Sequence, residues 1–136
     1  FDIMLACKEG RLPAVPVRWE TDNYVGVVMA SAGYPAAYET GFEITGLEEA
    51  DQYAQDTMVF HAGTRSSTSG APGRVVTSGG RVLTVVGRGA SLAEARERAY
   101  HRVRSIDFQG VYYRTDIAEE ARSTGVWASE PPAPNG

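Results

Sequence analysis

The chain has 136 residues, enough for one domain with a true core and too few for two. Thirteen basic against seventeen acidic residues leave a net charge of −4, so no overall positive field draws the chain to nucleic acid or an acidic membrane surface, and no apolar run approaches a bilayer span. A single cysteine, Cys7, excludes an internal disulfide and a cysteine-rich zinc site and fits a reducing, cytoplasmic setting.

The chain opens on Phe1 without the basic flank and apolar run of a secretory signal, and it reads as a piece of something longer. Residues 1–9 are strong helix formers, and Gly10 stands where a helix ends in a left-handed cap. So short a helix must pack on something else to persist. Pro13 and Pro16 extend the chain. Tyr24 to Ala30 is then β-branched and apolar at successive positions, which predicts a central strand covered on both faces, broken by a loop at Ser31 to Ala36.

Thr45 to Glu48 fits a capping box that opens a short acidic segment, and Thr57 to Ala62 is the next strand. Arg65 to Gly73 has almost nothing to bury and reads as a mobile surface loop. Arg74 to Thr77 and Arg81 to Gly87 flank Ser78-Gly79-Gly80 and predict a hairpin. A second capping box, Ser91 to Glu94, precedes an apolar stripe of Leu92, Ala95, Ala99, Val103 and Ile106, with Arg96, Glu97, Arg98, Arg102 and Arg104 on a solvated opposite face. Phe108 to Arg114 suits a last short strand or an extended packing segment, and residues 121–136, rich in proline at their end, read as a disordered tail.

The catalytic inventory is thin. His101 sits among helix arginines and reads as a surface residue, while His61 ends a strand, where either a structural histidine or a ligand-facing one fits. Cys7 beside Leu5 and Ala6 reads as buried packing. The glycine sets at Gly33, Gly63 and Gly79-Gly80 match no phosphate loop or dinucleotide fingerprint and, taken alone, are turns. From the residues alone, this is a soluble mixed α and β module without a self-contained active site.

Five ordered segments point further: Val27 to Pro35, Gly41 to Gly46, Val59 to Thr64, Val76 to Leu83 and Tyr113 to Ile117. In order and spacing they resemble the C-terminal region of the phosphoribosylamine-glycine ligase family. The resemblance implies an α+β fold, a mainly antiparallel sheet with covering helices like the C-terminal domain of ATP-grasp carboxylate-amine ligases. It implies that residues 1–12 are the last helix of a preceding ATP-grasp region and residues 13–120 the C-terminal domain. It further implies the joining of glycine to 5-phosphoribosylamine with ATP cleavage through a glycyl phosphate, in purine biosynthesis, with magnesium.

The nucleotide clamp and magnesium carboxylates of that family lie upstream of Phe1, so this chain alone is expected to bind neither ATP nor Mg2+, to hold no catalytic residue and to be inactive. Its partners are then the missing N-terminal and ATP-grasp domains. By resemblance, Ser31, Gly33, Tyr34 and Pro35, then His61, Gly63 and Thr64, then Gly79, Gly80 and Arg81 are candidates for lining the substrate cleft. Ser78 stands where the family commonly has another small polar residue, Ala118 where glycine is usual, and the 65–73 loop looks long. A stand-alone structural or binding module derived from such a domain is the alternative.

Overall fold

Two nine-residue antiparallel strands, β1 (Asn23–Ser31) and β5 (Arg81–Gly89), form the centre of the fold, in register from Asn23↔Gly89 to Ala30↔Arg81 with an irregularity between Met29 and Ala30. The structure is a computed structural model and describes residues 1–14, 16, 18–48, 53–68 and 73–119. Strand β2 (Thr57–His61) pairs with the outer edge of β5 and β6 (Val111–Tyr112) with that of β1, giving the order β2-β5-β1-β6, antiparallel throughout. A separate two-stranded sheet joins β3 (Thr64–Ser66) to β4 (Val75–Thr77). An α-helix, α1 (Asp2–Lys8), opens the chain, and Gly10 takes the left-handed conformation foreseen for it.

The second helix, α2 (Leu92–Ser105), begins at Ser91, whose hydroxyl accepts from the Glu94 amide at 3.2 Å while the Glu94 carboxylate accepts from the Ala90 amide. This reciprocal capping satisfies amides that a helix start leaves open. The stripe Ala95, Ala99, Val103 and Ile106 is buried against Val25, Val27, Met29, Leu83 and Val85 of the sheet. Contact is unusually close at Gly87 and Gly89. A Cβ at Gly87 would stand 2.3 Å from the Ala95 carbonyl and 2.4 Å from the Ala99 nitrogen, and one at Gly89 2.6 Å from the Ala95 nitrogen. The α+β class and the antiparallel sheet are as the resemblance implied.

Several local expectations are overturned. The predicted hairpin across Ser78-Gly79-Gly80 does not exist, because both edges of β5 are taken by β1 and β2, and β4 pairs instead with β3 and with the Phe42–Ile44 segment. Strand β3 therefore occupies the start of the segment read as a mobile loop; residues 69–72 of that segment lie outside the described residues. Thr45 opens no helix: it bridges to Asp107, with backbone bonds in both directions, while residues 49–52 lie outside the described residues. Strand β1 is central but is covered on both faces only at Met29, Ala30 and Ser31; before that, Tyr24, Gly26 and Val28 alternate outward.

The arginine face of α2 is not simply solvated. Arg102 is buried and donates to the Leu47 carbonyl, Arg96 donates to the carbonyls of Thr115 and Ile117, and Arg98 donates to the Arg88 carbonyl and pairs with Asp56 at 3.4 Å. The helix thus straps flanking loops to the sheet through guanidinium forks. His101 contacts the Tyr53 ring edge-on, Cys7 is exposed rather than packed, and Ala118 adopts φ +55°, the left-handed conformation that glycine meets without strain. The expected disordered tail, residues 121–136, lies outside the described residues.

The close helix–sheet contact predicts a stability order. Ala99→Asp puts an unpaired charge against β5 and should cost about 4 kcal/mol or more. Gly87→Ala should cost about 1–3 kcal/mol by overpacking. Arg98→Ala should cost about 1 kcal/mol for its carbonyl bond. Denaturant melts check the order, and equal losses would contradict it.

Candidate functional site

Antiparallel pairing puts the C-terminal ends of β1 and β2 beside the N-terminal end of β5, as the pairs Ala30↔Arg81 and His61↔Leu83 show. The loops leaving those ends, 31–36, 61–64 and 78–81, form one corner at the end of the sheet, and all ten sequence-predicted site residues fall there. The corner is held by backbone. The Ser31 amide donates to the Gly80 carbonyl at 2.8 Å and its hydroxyl to the Gly79 carbonyl at 3.0 Å; the Gly63 amide donates to the Arg81 carbonyl at 2.8 Å; the Ser78 amide donates to the Gly63 carbonyl at 2.7 Å.

Glycine is required here by contact. A Cβ at Gly63 would lie 2.6 Å from the Arg81 carbonyl oxygen and 2.8 Å from the Gly79 Cα. The Tyr34 ring lies against Gly80, where a Cβ would fall 2.1 Å from its Cδ2. Gly33 has φ +90° and its space is closed by the Ala37 carbonyl of its own loop, so local conformation is sufficient to demand glycine there. The Tyr34–Pro35 bond is cis.

The polar groups divide by exposure. Ser31 and Gly80 are buried and build the corner from within, whereas Gly33, Tyr34, Pro35, His61 and Arg81 face outward. His61 Nδ1 lies 3.0 Å from the Thr64 hydroxyl, a structural pairing with a side chain and not with backbone. The Arg81 guanidinium stands 6.0 Å from the Tyr34 ring centroid, and no ion pair among the described residues uses it. A cation on an aromatic platform without a carboxylate partner is suited to receiving an anionic group.

A groove of about 370 Å³ leads from Tyr34 and Arg81 along Val28 and Ala30 to Tyr112, Tyr113 and Arg114. Phe108 to Arg114, expected as a last short strand or an extended packing segment, does form the short strand β6, but its side chains as a wall of this groove were not foreseen; the signal was the aromatic pair Tyr112-Tyr113 followed by an arginine. Arg114 is bound to Asp116 by two bonds of 2.8 and 2.6 Å, and that hydrogen bonding, assisted by its charge, holds the Asp116 carboxyl below the usual carboxylate range and raises Arg114. Among the described residues no group of three or more His, Cys, Asp and Glu could hold a metal ion.

Two outcomes follow. Gly63→Ala should cost about 2 kcal/mol or more in urea unfolding, because both clashes are with backbone, whereas the exposed His61→Ala should stay within about 1 kcal/mol. Asp116 is depressed in the folded state, so its pairing is fully present above its unfolded value near pH 4 and is lost as pH falls through the folded pKa. An NMR titration should place its midpoint below that of an ordinary aspartate, and Arg114→Ala should return it; an unshifted midpoint would contradict the pairing.

Comparison with known proteins shows the family. The family described as "Phosphoribosylglycinamide synthetase, C domain" matches residues 24–120. The chain is 47% identical over 118 residues to a phosphoribosylamine–glycine ligase of Caldanaerobacter subterraneus, covering 87% of this chain and 26% of that protein. It is 46% identical over 119 residues to a chloroplastic phosphoribosylamine–glycine ligase of Arabidopsis thaliana, covering 88% of this chain and 22% of that protein. The crystal structure of the Thermotoga maritima phosphoribosylamine–glycine ligase matches 70% of this chain and 22% of its own, with a TM-score of 0.59 at 42% identity. The chain therefore spans about a quarter of the length of these relatives.

Proposed function

The chain belongs to the phosphoribosylglycinamide synthetase C-domain family, and from that membership we propose that it works as the C-terminal domain of a phosphoribosylamine–glycine ligase, where its strand-end corner walls the substrate cleft. The observation that carries the reading is the family match over residues 24–120, which contains all three corner loops. In this reading residues 1–12 close the preceding ATP-grasp region and residues 13–120 form the domain. The ligase works in a reducing, cytoplasmic compartment, although the Arabidopsis relative is named chloroplastic.

In the proposed reaction an oxygen of the glycine carboxylate attacks the γ-phosphorus of ATP, ADP leaves, and glycyl phosphate forms. The amine of 5-phosphoribosylamine then attacks the acyl carbon, loses a proton and expels phosphate, leaving the amide. ATP supplies the activation. The corner offers backbone amides, hydroxyls, one imidazole and one guanidinium but no carboxylate pair, a donor set ill suited to magnesium, which prefers carboxylate and phosphate oxygens. Nucleotide and metal therefore belong to the remaining three quarters of the ligase, and no step is routed through this chain's own atoms. The contribution of the corner is positional: Arg81 and Tyr34 face the anionic end of a substrate on a scaffold held by backbone hydrogen bonds.

The test uses the full-length ligase that contains this chain. ADP release should depend on both glycine and phosphoribosylamine, and Arg81→Ala should lower kcat/KM about tenfold, the loss of one charge-assisted hydrogen bond, with the melting temperature unchanged. Calorimetry on residues 1–136 alone should show no one-to-one ATP binding. Unchanged kcat/KM would remove the corner from the cleft, and ATP binding by the chain alone would overturn the division of labour.

A further inference from the structure

Past Tyr112 the chain leaves the sheet, and residues 113–119 form neither helix nor strand. Backbone groups that leave a ladder still need partners. Two side chains of α2 supply them. The Tyr100 hydroxyl donates to the Arg114 carbonyl at 2.7 Å and accepts from the Ile117 amide at 3.1 Å, which uses the phenol in both of its hydrogen-bonding roles. Arg96 donates to the Ile117 carbonyl at 2.9 Å and to the Thr115 carbonyl at 2.8 Å, and its guanidinium stacks 4.7 Å from the Tyr100 ring centroid.

Tyr100 is 6% exposed, so water cannot readily replace its bonds, and the groups it satisfies would be costly to leave open. Of the segment it holds, Tyr113, Arg114 and Ile117 line the groove that reaches Tyr34 and Arg81. Tyr100 and Arg96 themselves do not line it. The wall made by Val28 and Ala30 belongs to β1, which is fixed by pairing with β5 along its length, whereas the wall made by Arg114 and Ile117 has no ladder and is tethered by α2. The Tyr100 hydroxyl can therefore act on the groove only through that segment.

We propose that Tyr100, with Arg96 stacked on its ring, is a positioning residue of the ligase, fixing the Arg114–Ile117 wall of the groove and through it the fit of the phosphoribosylamine. This rests on the proposed function. Of the two molecules joined, glycine is far too small to need a groove of about 370 Å³, while a sugar phosphate fills more of it and brings an anionic end to Arg81.

The test is steady-state kinetics on the full-length ligase, with phosphoribosylamine and ATP varied in turn. Tyr100→Phe removes the hydroxyl and keeps the ring. It should raise the KM for phosphoribosylamine at least about fivefold, with kcat and the KM for ATP within about twofold. Val103→Ala, buried on the same helix but bonded to no part of the segment, lowers stability without moving the wall and should leave that KM unchanged. Should Tyr100→Phe fail to fold, Arg96→Lys decides, since it keeps the charge, loses the fork that spans two carbonyls, and should raise the same KM. An unchanged KM in the folded variant, or an equal rise in Val103→Ala, would overturn the proposal. If Arg81→Ala still shows its tenfold loss, such a result leaves the cleft reading standing; if Arg81→Ala is silent as well, both readings fall.

Discussion

The architecture depends on the approach of one helix to one strand at two glycines. Because Gly87 and Gly89 carry no Cβ, the backbone of α2 at Ala95 and Ala99 settles directly onto β5, within a distance that any side chain would forbid. The contact fixes how α2 lies on the sheet, and its arginines then reach the carbonyls of Leu47, Arg88, Thr115 and Ile117. A single helix so placed covers one face. Among the described residues the opposite face exposes Tyr24, Val28, Met58, Phe60 and Tyr112.

The same antiparallel pairing that supports the helix collects the ends of three elements into one corner. There the chain turns on glycine backbones packed against each other, Gly63 against Gly79 and Gly80 beneath Tyr34. Backbone-to-backbone bonds hold those turns with little rotamer freedom, so the few outward side chains, Tyr34 and Arg81 above all, project from a stiff base. Such an arrangement is suited to orienting a ligand; proton transfer and metal binding call for other groups.

The sequence disclosed what periodicity and capping can encode. The stripe of α2, its Ser91–Glu94 cap and the strands at 24–30 and 57–62 follow from side-chain spacing, and the corner residues followed from the family resemblance. What it concealed was partner choice. Val75 to Thr77 and Arg81 to Gly89 are both good strands around a good turn, yet β5 is already saturated by β1 and β2, and β4 turns to β3. Pairing is a property of the whole sheet, and local turn chemistry cannot report it. The apolar run of β1 likewise suggested two covered faces, because apolar composition alone does not report how many faces of a strand are covered. Arg102 looked solvated because helical periodicity locates a face but not the carbonyl of Leu47 above it.

In the proposed function the strand-end corner belongs to the wall of a ligase active site. A crystal structure of the full-length ligase bound to its product measures this directly. Product atoms should lie within about 4 Å of Tyr34 or Arg81, a contact distance. A product lying far from all three corner loops, with solvent between, would contradict it.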